Sequence, residues 1–348
     1  MFVALRDLRA ARGRFALITL VVVLVALLVS FLSGLTSGLA HQNTSALRKM
    51  SGDTVVFADT GTSPSFDSSA LTADQVRAWR QAAHADPVGI SHAQAARGGG
   101  PPAQVALFGT ETATFGEHSA IEPGSIVLSA PAARDLSAAT GDRITLGNAT
   151  FAVTAISGDD WYAHTPVVWM TLPDWQSLEP RGDAATILVT SDVHDAAAVN
   201  AAAHTVTTSA ANSLQAIGSY KAENGSLTLM TILLFAISAL VIGAFFTVWT
   251  IQRTPDIAIL KALGATTNSL MADALGQALV VLLIGVGTGL AITSLAGSAL
   301  GPSVPFVLSA ATTLVPGAAL IGLGVLGAAV ALRFVATADP LTALNRTR

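Results

Sequence analysis

The sequence predicts an integral membrane protein with four transmembrane α-helices. One large extracytoplasmic α+β domain is inserted between helices 1 and 2, and the N and C termini are cytoplasmic. Three observations predict this. The 348-residue chain is 11% charged with a mean hydropathy of +0.59, whereas a soluble domain carries about a quarter charged residues. Asp, Glu, Lys and Arg are absent from residues 15–40, 224–252 and 274–332, while the 183 residues of 41–223 have an ordinary soluble composition. That middle segment holds nine basic and 18 acidic residues, a net of −9. The other basic residues gather at Arg6, Arg9, Arg12, Arg14, Arg253, Lys261, Arg333, Arg346 and Arg348. Under the positive-inside rule, both termini and the Arg253 loop are cytoplasmic and the large segment is outside.

Residues 1–14 place Phe2, Leu5 and Leu8 at three-residue spacing beside an arginine stripe. This fits an amphipathic helix among anionic headgroups, or a plain topogenic charge cluster. The first span, 15–40, is longer than a signal-peptide core and reads as an uncleaved anchor. Gly34 and Gly38 form a GxxxG step on it, which allows either a second copy or a helix of the same chain to approach closely.

The extracytoplasmic domain, 41–223, alternates strand and helix patterns. Strands are expected at 53–58, 105–108, 125–128, 143–146, 151–156, 167–170 and 185–190. Helices are expected after Thr72, over 131–140 and over 195–212. Gly98-Gly99-Gly100-Pro101-Pro102 reads as a loop, and Asp159 to His164 as a loop with interfacial aromatics. The second span covers 224–252, with Trp249 in the inner aromatic belt. A cytoplasmic loop follows at 253–273. The uncharged run 274–332 is too long for one helix. Gly301-Pro302 and Pro305 divide it into a third span at 274–300, a short outer loop at 301–313 and a fourth span at 314–335, before a tail at 336–348.

Several function classes drop out. There are no cysteines, which removes disulfides, thiolate metal sites and cysteine nucleophiles. No G-x-x-x-x-G-K-[ST] and no H-E-x-x-H occur, so no phosphate-cradling loop or zincin site is expected in this chain. The seven histidines are scattered singly through the outer segment. No carboxylate lies deep in a span, unlike the usual proton- or ion-coupled carrier. The chain is therefore expected to hold no catalytic site, no intrinsic cofactor and no metal, and to bind membrane lipids but no nucleic acid. Arg outnumbers Lys 15 to 3 and Ala is abundant, which points to a GC-rich bacterial genome and a bacterial cell membrane.

The cytoplasmic stretch Arg253-Thr-Pro-Asp-Ile-Ala-Ile-Leu-Lys-Ala-Leu-Gly-Ala-Thr266 reads as a short helix with both ends specified. Thr254 is its N-cap, Pro255 takes the first turn, Asp256 faces the positive dipole end, and Gly264 supplies the left-handed closure. A plain turn would not need two caps, so a docking role is expected.

The layout and this loop together resemble permeases of the MacB/FtsX type of ABC transporter. Their loop carries a pattern close to R-x-x-E-I-x-x-L-x-A-L-G-A, matched here by Arg253, Ile257, Leu260, Ala262, Leu263, Gly264 and Ala265, with Asp256 in place of Glu. The tail Asp339-Pro340-Leu-Thr-Ala343-Leu344 is similar to the family's D-P-x-x-A-L ending. The resemblance implies a homodimer docking two copies of a separate ABC ATPase subunit, which binds ATP and Mg. Arg253, Asp256, Ile257, Leu260, Leu263 and Gly264 would form the coupling helix over 254–263.

Size and the opening residues further resemble the small Gram-positive haem exporters of the HrtB type, which implies haem taken from the outer leaflet at the dimer interface. Iron would then need an axial ligand near the outer boundary. The candidates are His41, Tyr220, Glu223 and Met230. Each also has a plain structural reading: cap, interfacial anchor, solvated charge and gap filler. Export of another hydrophobic compound (lipid, peptide or antibiotic) fits the same layout, as does an FtsX-like transmitter that moves an outer partner and carries no substrate.

Overall fold

The computed structural model describes residues 12–111, 121–178, 183–252, 259, 263–301 and 304–336. They fall into two compact units, Leu39–Gly225 and the combination of Met1–Gly38 with Ser226–Arg348. Helix α1 (Arg12–Thr44) opens the described chain. The outer unit then runs β1 (Thr54–Ala58), α2 (Ala73–Ala82), β2 (Ala85–Arg97), β3 (Ala103–Thr110), β4 (Ser125–Leu128), α3 (Ala130–Asp135), β5 (Arg143–Leu146) and β6 (Ala149–Ile156). It continues with β7 (Trp161–Tyr162), β8 (Thr165–Thr171), α4 (Leu172–Leu178), β9 (Ile187–Thr190), α5 (Ala196–Ala203), β10 (Thr205–Ser209) and α6 (Ala210–Ser213). Three long helices follow: α7 (Gly218–Gln252), α8 (Thr267–Ala299) and α9 (Ala310–Ala336).

The outer unit is one mixed sheet in the order β10-β1-β9-β2-β3-β8-β4-β6-β5, with β7 paired to β8. β3–β8 and β4–β6 are parallel and the other pairs antiparallel. The sheet curls back on itself, because Ala95–Arg97 of the long strand β2 also pair with Ile144–Leu146 of β5. Alternation along these strands sends Val105, Leu107, Ile126, Leu128, Val168 and Met170 into one core, closed by Leu172 and Trp175 of α4. Residues of opposite parity, among them Val88, Phe108, Val167 and Trp169, enter a second core. Trp175 lies against the directly paired Gly89 and Gly109, where a Cβ would sit 2.2 and 2.9 Å from the indole. Only glycine permits that approach.

Local chemistry accounts for the helices. Thr72 and Gln75 complete a reciprocal capping box on α2, satisfying two otherwise orphaned N–H groups. The single helix expected over 195–212 is instead α5, β10 and α6. His204 stops α5 in a left-handed C-cap, and the Thr205-Val-Thr-Thr run pairs with β1, as β-branched residues favour. Strand β2 is not among the expected strands, because Pro87, Gly89, Ser91, His92 and Gln94 interrupt its apolar pattern.

Among the described residues, four helices are long and apolar enough to cross a membrane: Phe15–Thr44, Gly218–Gln252, Asn268–Ala299 and Ala310–Leu332. Each helix extends past the span expected from hydropathy. α1 continues to Thr44 instead of 40, α7 begins at 218 instead of 224, α8 at 267 instead of 274, and α9 at 310 instead of 314. Hydropathy marks the width of the hydrocarbon, not the point at which backbone hydrogen bonding stops.

In the membrane unit, Gly285 and Gly289 of α8 abut Val22 and Ala26 of α1, and Ser30 and Thr293 hydroxyls bond across the same pair at 2.6 Å. Trp249 is not in an exposed belt. It is buried edge-on against Phe15, centroids 6.0 Å apart.

Candidate functional site

The sequence-expected ligand residues do not form one cluster. Met230 is 57% exposed on the apolar part of α7. Tyr220, in the first turn of α7, is half-buried against the second core of the outer unit. His41 and Glu223 each belong to polar contacts within the outer unit, and both contacts are made with Asp159–His164. Glu223 is therefore not a solvated charge ahead of a helix. It lies inside α7 with two partners.

The β7–β8 hairpin organises these contacts. Trp161 pairs with Pro166 and Tyr162 with Thr165, leaving a two-residue turn of Ala163 and His164. Both have positive φ, 47° and 63°. That is the type I′ turn which usually takes Asn-Gly, and two side-chain-bearing residues hold it under strain. Backbone contacts compensate, since Ala163 N–H donates to Asn43 O and His164 N–H to Gln42 O, at 3.2 and 3.0 Å.

The side chains continue the network. His164 Nε2 lies 2.8 Å from Glu223 Oε1, and Asn43 Nδ2 donates to Glu223 Oε2 at 2.9 Å and to Leu39 O at 3.1 Å. Ser219 Oγ donates to Asn43 Oδ1 at 2.5 Å. The same His164 Nε2 also lies 2.9 Å from Asn43 Nδ2, and Nδ1 lies 3.3 Å from Gln42 Oε1. Asn43 is 1% exposed and ties Leu39, Ser219 and Glu223 into one unit.

On the other flank, His41 Nε2 lies 3.0 Å from Asp159 O and 3.2 Å from its Oδ2. Trp161 Nε1 donates to Asp159 Oδ1 at 3.0 Å. Asp160 is 0% exposed, paired with Lys49 Nζ at 2.7 Å and accepting from Trp169 Nε1 at 3.1 Å. Asp159–His164 is thus not a loop with interfacial aromatics. Tyr162 is a core residue at 2% exposure, and the acidic pair is a fastening onto residues 41–49. The run of two Asp, two aromatics and a His was legible in the sequence. Its partners on residues 41–49 and at Glu223 were not, because they lie more than 50 residues away.

Gly34 and Gly38 are used inside the chain. A Cβ on Gly34 would fall 2.4 Å from the Phe306 ring, and one on Gly38 would fall 2.0 Å from Pro305 O. Val307 N–H also donates to Gly34 O at 3.1 Å. The step leaves both a second copy and the same chain as partners, and within this chain it is the α8–α9 connection that lies against it.

Of the coupling-loop residues, Arg253, Asp256, Ile257 and Leu260 lie outside the described residues, as do the 1–11 segment and the tail motif. Gly264 has φ +98°, the left-handed conformation expected at that position. Leu263 N–H donates to Ile259 O at 3.0 Å in a helical turn, and Leu263 is 80% exposed. Among the described residues, no group of three His, Asp or Glu could hold a metal ion.

Comparisons with known proteins agree with this architecture. Residues 15–208 match the MacB-like periplasmic core domain and residues 214–340 the FtsX-like permease C-terminal family. A relative from Staphylococcus epidermidis, called putative hemin transport system permease protein HrtB, is 31% identical over 198 residues, 56% of each chain. The chain thus spans little more than half the length of that relative. The protein of the same name in Staphylococcus haemolyticus is 25% identical over 359 residues, 99% of each chain. The crystal structure of the periplasmic region of MacB from Actinobacillus actinomycetemcomitans aligns with a TM-score of 0.37 at 10% identity, covering 48% of this chain and 94% of that one.

Proposed function

The chain belongs to the MacB/FtsX family of ABC transporter permeases, and from that premise we infer that it is the membrane subunit of an ATP-driven haem exporter. Two copies form the permease. Each docks one ATPase subunit through residues 254–263, and ATPase closure reaches the spans as a rigid-body push. ATP and Mg belong to the partner. Both termini and the docking loop are cytoplasmic, as the positive-inside charge pattern requires.

The observation that carries haem is the hemin-transport name of relatives matching at 31% over half the chain and at 25% over nearly all of it. Haem is a flat amphipathic ligand that partitions into membrane, and its iron takes axial ligands such as His and Met. Met230 is exposed on its helix and can turn toward a substrate as it stands, whereas the half-exposed His41 must first release Asp159. Glu223 can do so only by releasing His164 and Asn43, and Tyr220 only by leaving the domain core. We assign Glu223 a conditional role of this kind.

The test is a haemin titration of the detergent-solubilised permease, read in the Soret band. A saturable shift, reduced in Met230→Ala or His41→Ala, is expected. A Soret band that stays that of free haemin at every ratio removes haem as the substrate and leaves the ABC permease assignment standing.

A further inference from the structure

Strand β2 changes partner along one side. Ala85–Val88 pair with β9 and Ala95–Arg97 with β5, so Gly89–Gln94 have β3 on one side and no strand on the other. The Thr186 hydroxyl fills the start of this gap, accepting from Ile90 N–H at 2.8 Å and donating to Ile90 O at 3.0 Å. In an antiparallel strand, alternate residues direct N–H and C=O to the same side. His92 and Gln94 therefore direct theirs into the gap, where no backbone partner meets them among the described residues. An interior stretch of sheet is left with an open edge of about two residues, or roughly 7 Å.

A cavity of about 410 Å³ opens onto this edge, its lining including Phe66, Asp67, His92, Asn148, Tyr162 and Asp183. Its size is within the range of small-ligand sites. The Tyr162 side chain is 2% exposed, lines the cavity, and has no hydrogen-bond partner for its hydroxyl among the described residues. Burial, then the nearby Asp67 charge, push its pKa upward, so the hydroxyl keeps its proton. The His92 ring leans on Tyr162, centroids 5.6 Å apart at 34°, and burial lowers its pKa, against the opposing pull of Asp67. Among the described residues, two carboxylates line the cavity and no Lys or Arg does.

We propose that this notch binds a short extended peptide segment that adds to the β2 edge at His92–Gln94 and places an ammonium group against Asp67 and the Tyr162 hydroxyl. Each feature selects part of that ligand. The open edge wants a backbone, the carboxylates want a cation, and the aromatic wall favours a cation over an anion. Haem fits poorly here, since its two propionates would face Asp67 and Asp183 with no Lys or Arg among the described lining residues to receive them. The site is therefore separate from the export substrate, and it stands whether or not haem is exported.

Equilibrium dialysis of the full-length, detergent-solubilised permease against the N-acetylated, C-amidated tripeptide Lys-Ala-Ala, with Glu-Ala-Ala capped in the same way so that only the side chain carries charge, tests this. Saturable binding is expected, with Glu-Ala-Ala and n-butylammonium binding at least about tenfold more weakly, as a lost charge-assisted contact or lost backbone pairing requires. Asp67→Asn and Tyr162→Phe, both near-isosteric, should each weaken Lys-Ala-Ala by about three- to tenfold. N-methylation of the central amide should do the same. Equal binding of Glu-Ala-Ala overturns the charge assignment, and equal binding of n-butylammonium overturns the strand addition. Unchanged binding in both variants, or no saturable binding of Lys-Ala-Ala, overturns the site.

Discussion

Ala163 and His164 carry the clearest residue-level strain, since both sit at positive φ in a two-residue turn. Replacing Ala163 by Gly removes a cost of about 1 kcal/mol in the folded state and returns some of it as unfolded-chain entropy. A rise in thermal midpoint is expected, corresponding to a few tenths of a kcal/mol or more, measured by differential scanning fluorimetry in detergent. Asn43 shows the opposite case. It is buried and bonds Leu39, Ser219 and Glu223, so Asn43→Ala removes one hydrogen bond from each of those groups. A loss of about 1–3 kcal/mol is expected by the same measurement. None of this was legible in the sequence, where Asn43 is one polar residue at the end of an apolar run. His41 and Glu223 were legible as ionisable groups near a membrane boundary, and as nothing more. Their partners, Asp159 and His164, are set by a hairpin 118 and 59 residues away.

At the scale of elements, period and caps were readable and partners were not. The strands at Ser125–Leu128 and Arg143–Leu146 occur where alternation and turn residues place them. The capping box of α2 follows from Thr72 and Gln75 alone. The Gly34/Gly38 step shows the limit, because small residues announce a close approach without naming what approaches. Gly38→Val should destabilise the membrane unit by driving a side chain into Pro305 O. A lowered melting temperature with an unchanged oligomeric state on size exclusion is expected, whereas loss of the dimer at unchanged melting temperature would return the step to an intersubunit role. The loop proposed to dock the ATPase is the other element with a decisive test. Leu263→Asp or Leu260→Asp should abolish co-purification of the ATPase subunit while leaving haemin titration intact. A complex at normal yield would mean that 254–263 is not the docking element.

For the whole molecule, topology can be tested cleanly because the chain has no cysteine. Gly99→Cys, in the loop between β2 and β3, should react with a membrane-impermeant maleimide in intact cells. Leu263→Cys should react only after permeabilisation, and labelling in the reverse order would invert the protein. The sequence by itself determined the four apolar runs, the charge asymmetry across them, the size of the domain between the first two, and the punctuation of the 253–266 loop. All of these are local properties: free energies of transfer, of charge placement and of capping that depend on residues adjacent in the chain. Only the tertiary structure decided that the sheet closes through β2 and β5, that Asp159–His164 fastens onto residues 41–49, that Phe306 and Pro305 occupy the glycine step, and that β2 keeps an open edge beside an unpartnered Tyr162. Those outcomes depend on which of many distant, chemically equivalent partners comes into contact. That choice is made by chain topology and packing, and the spacing of residues along a single segment does not encode it.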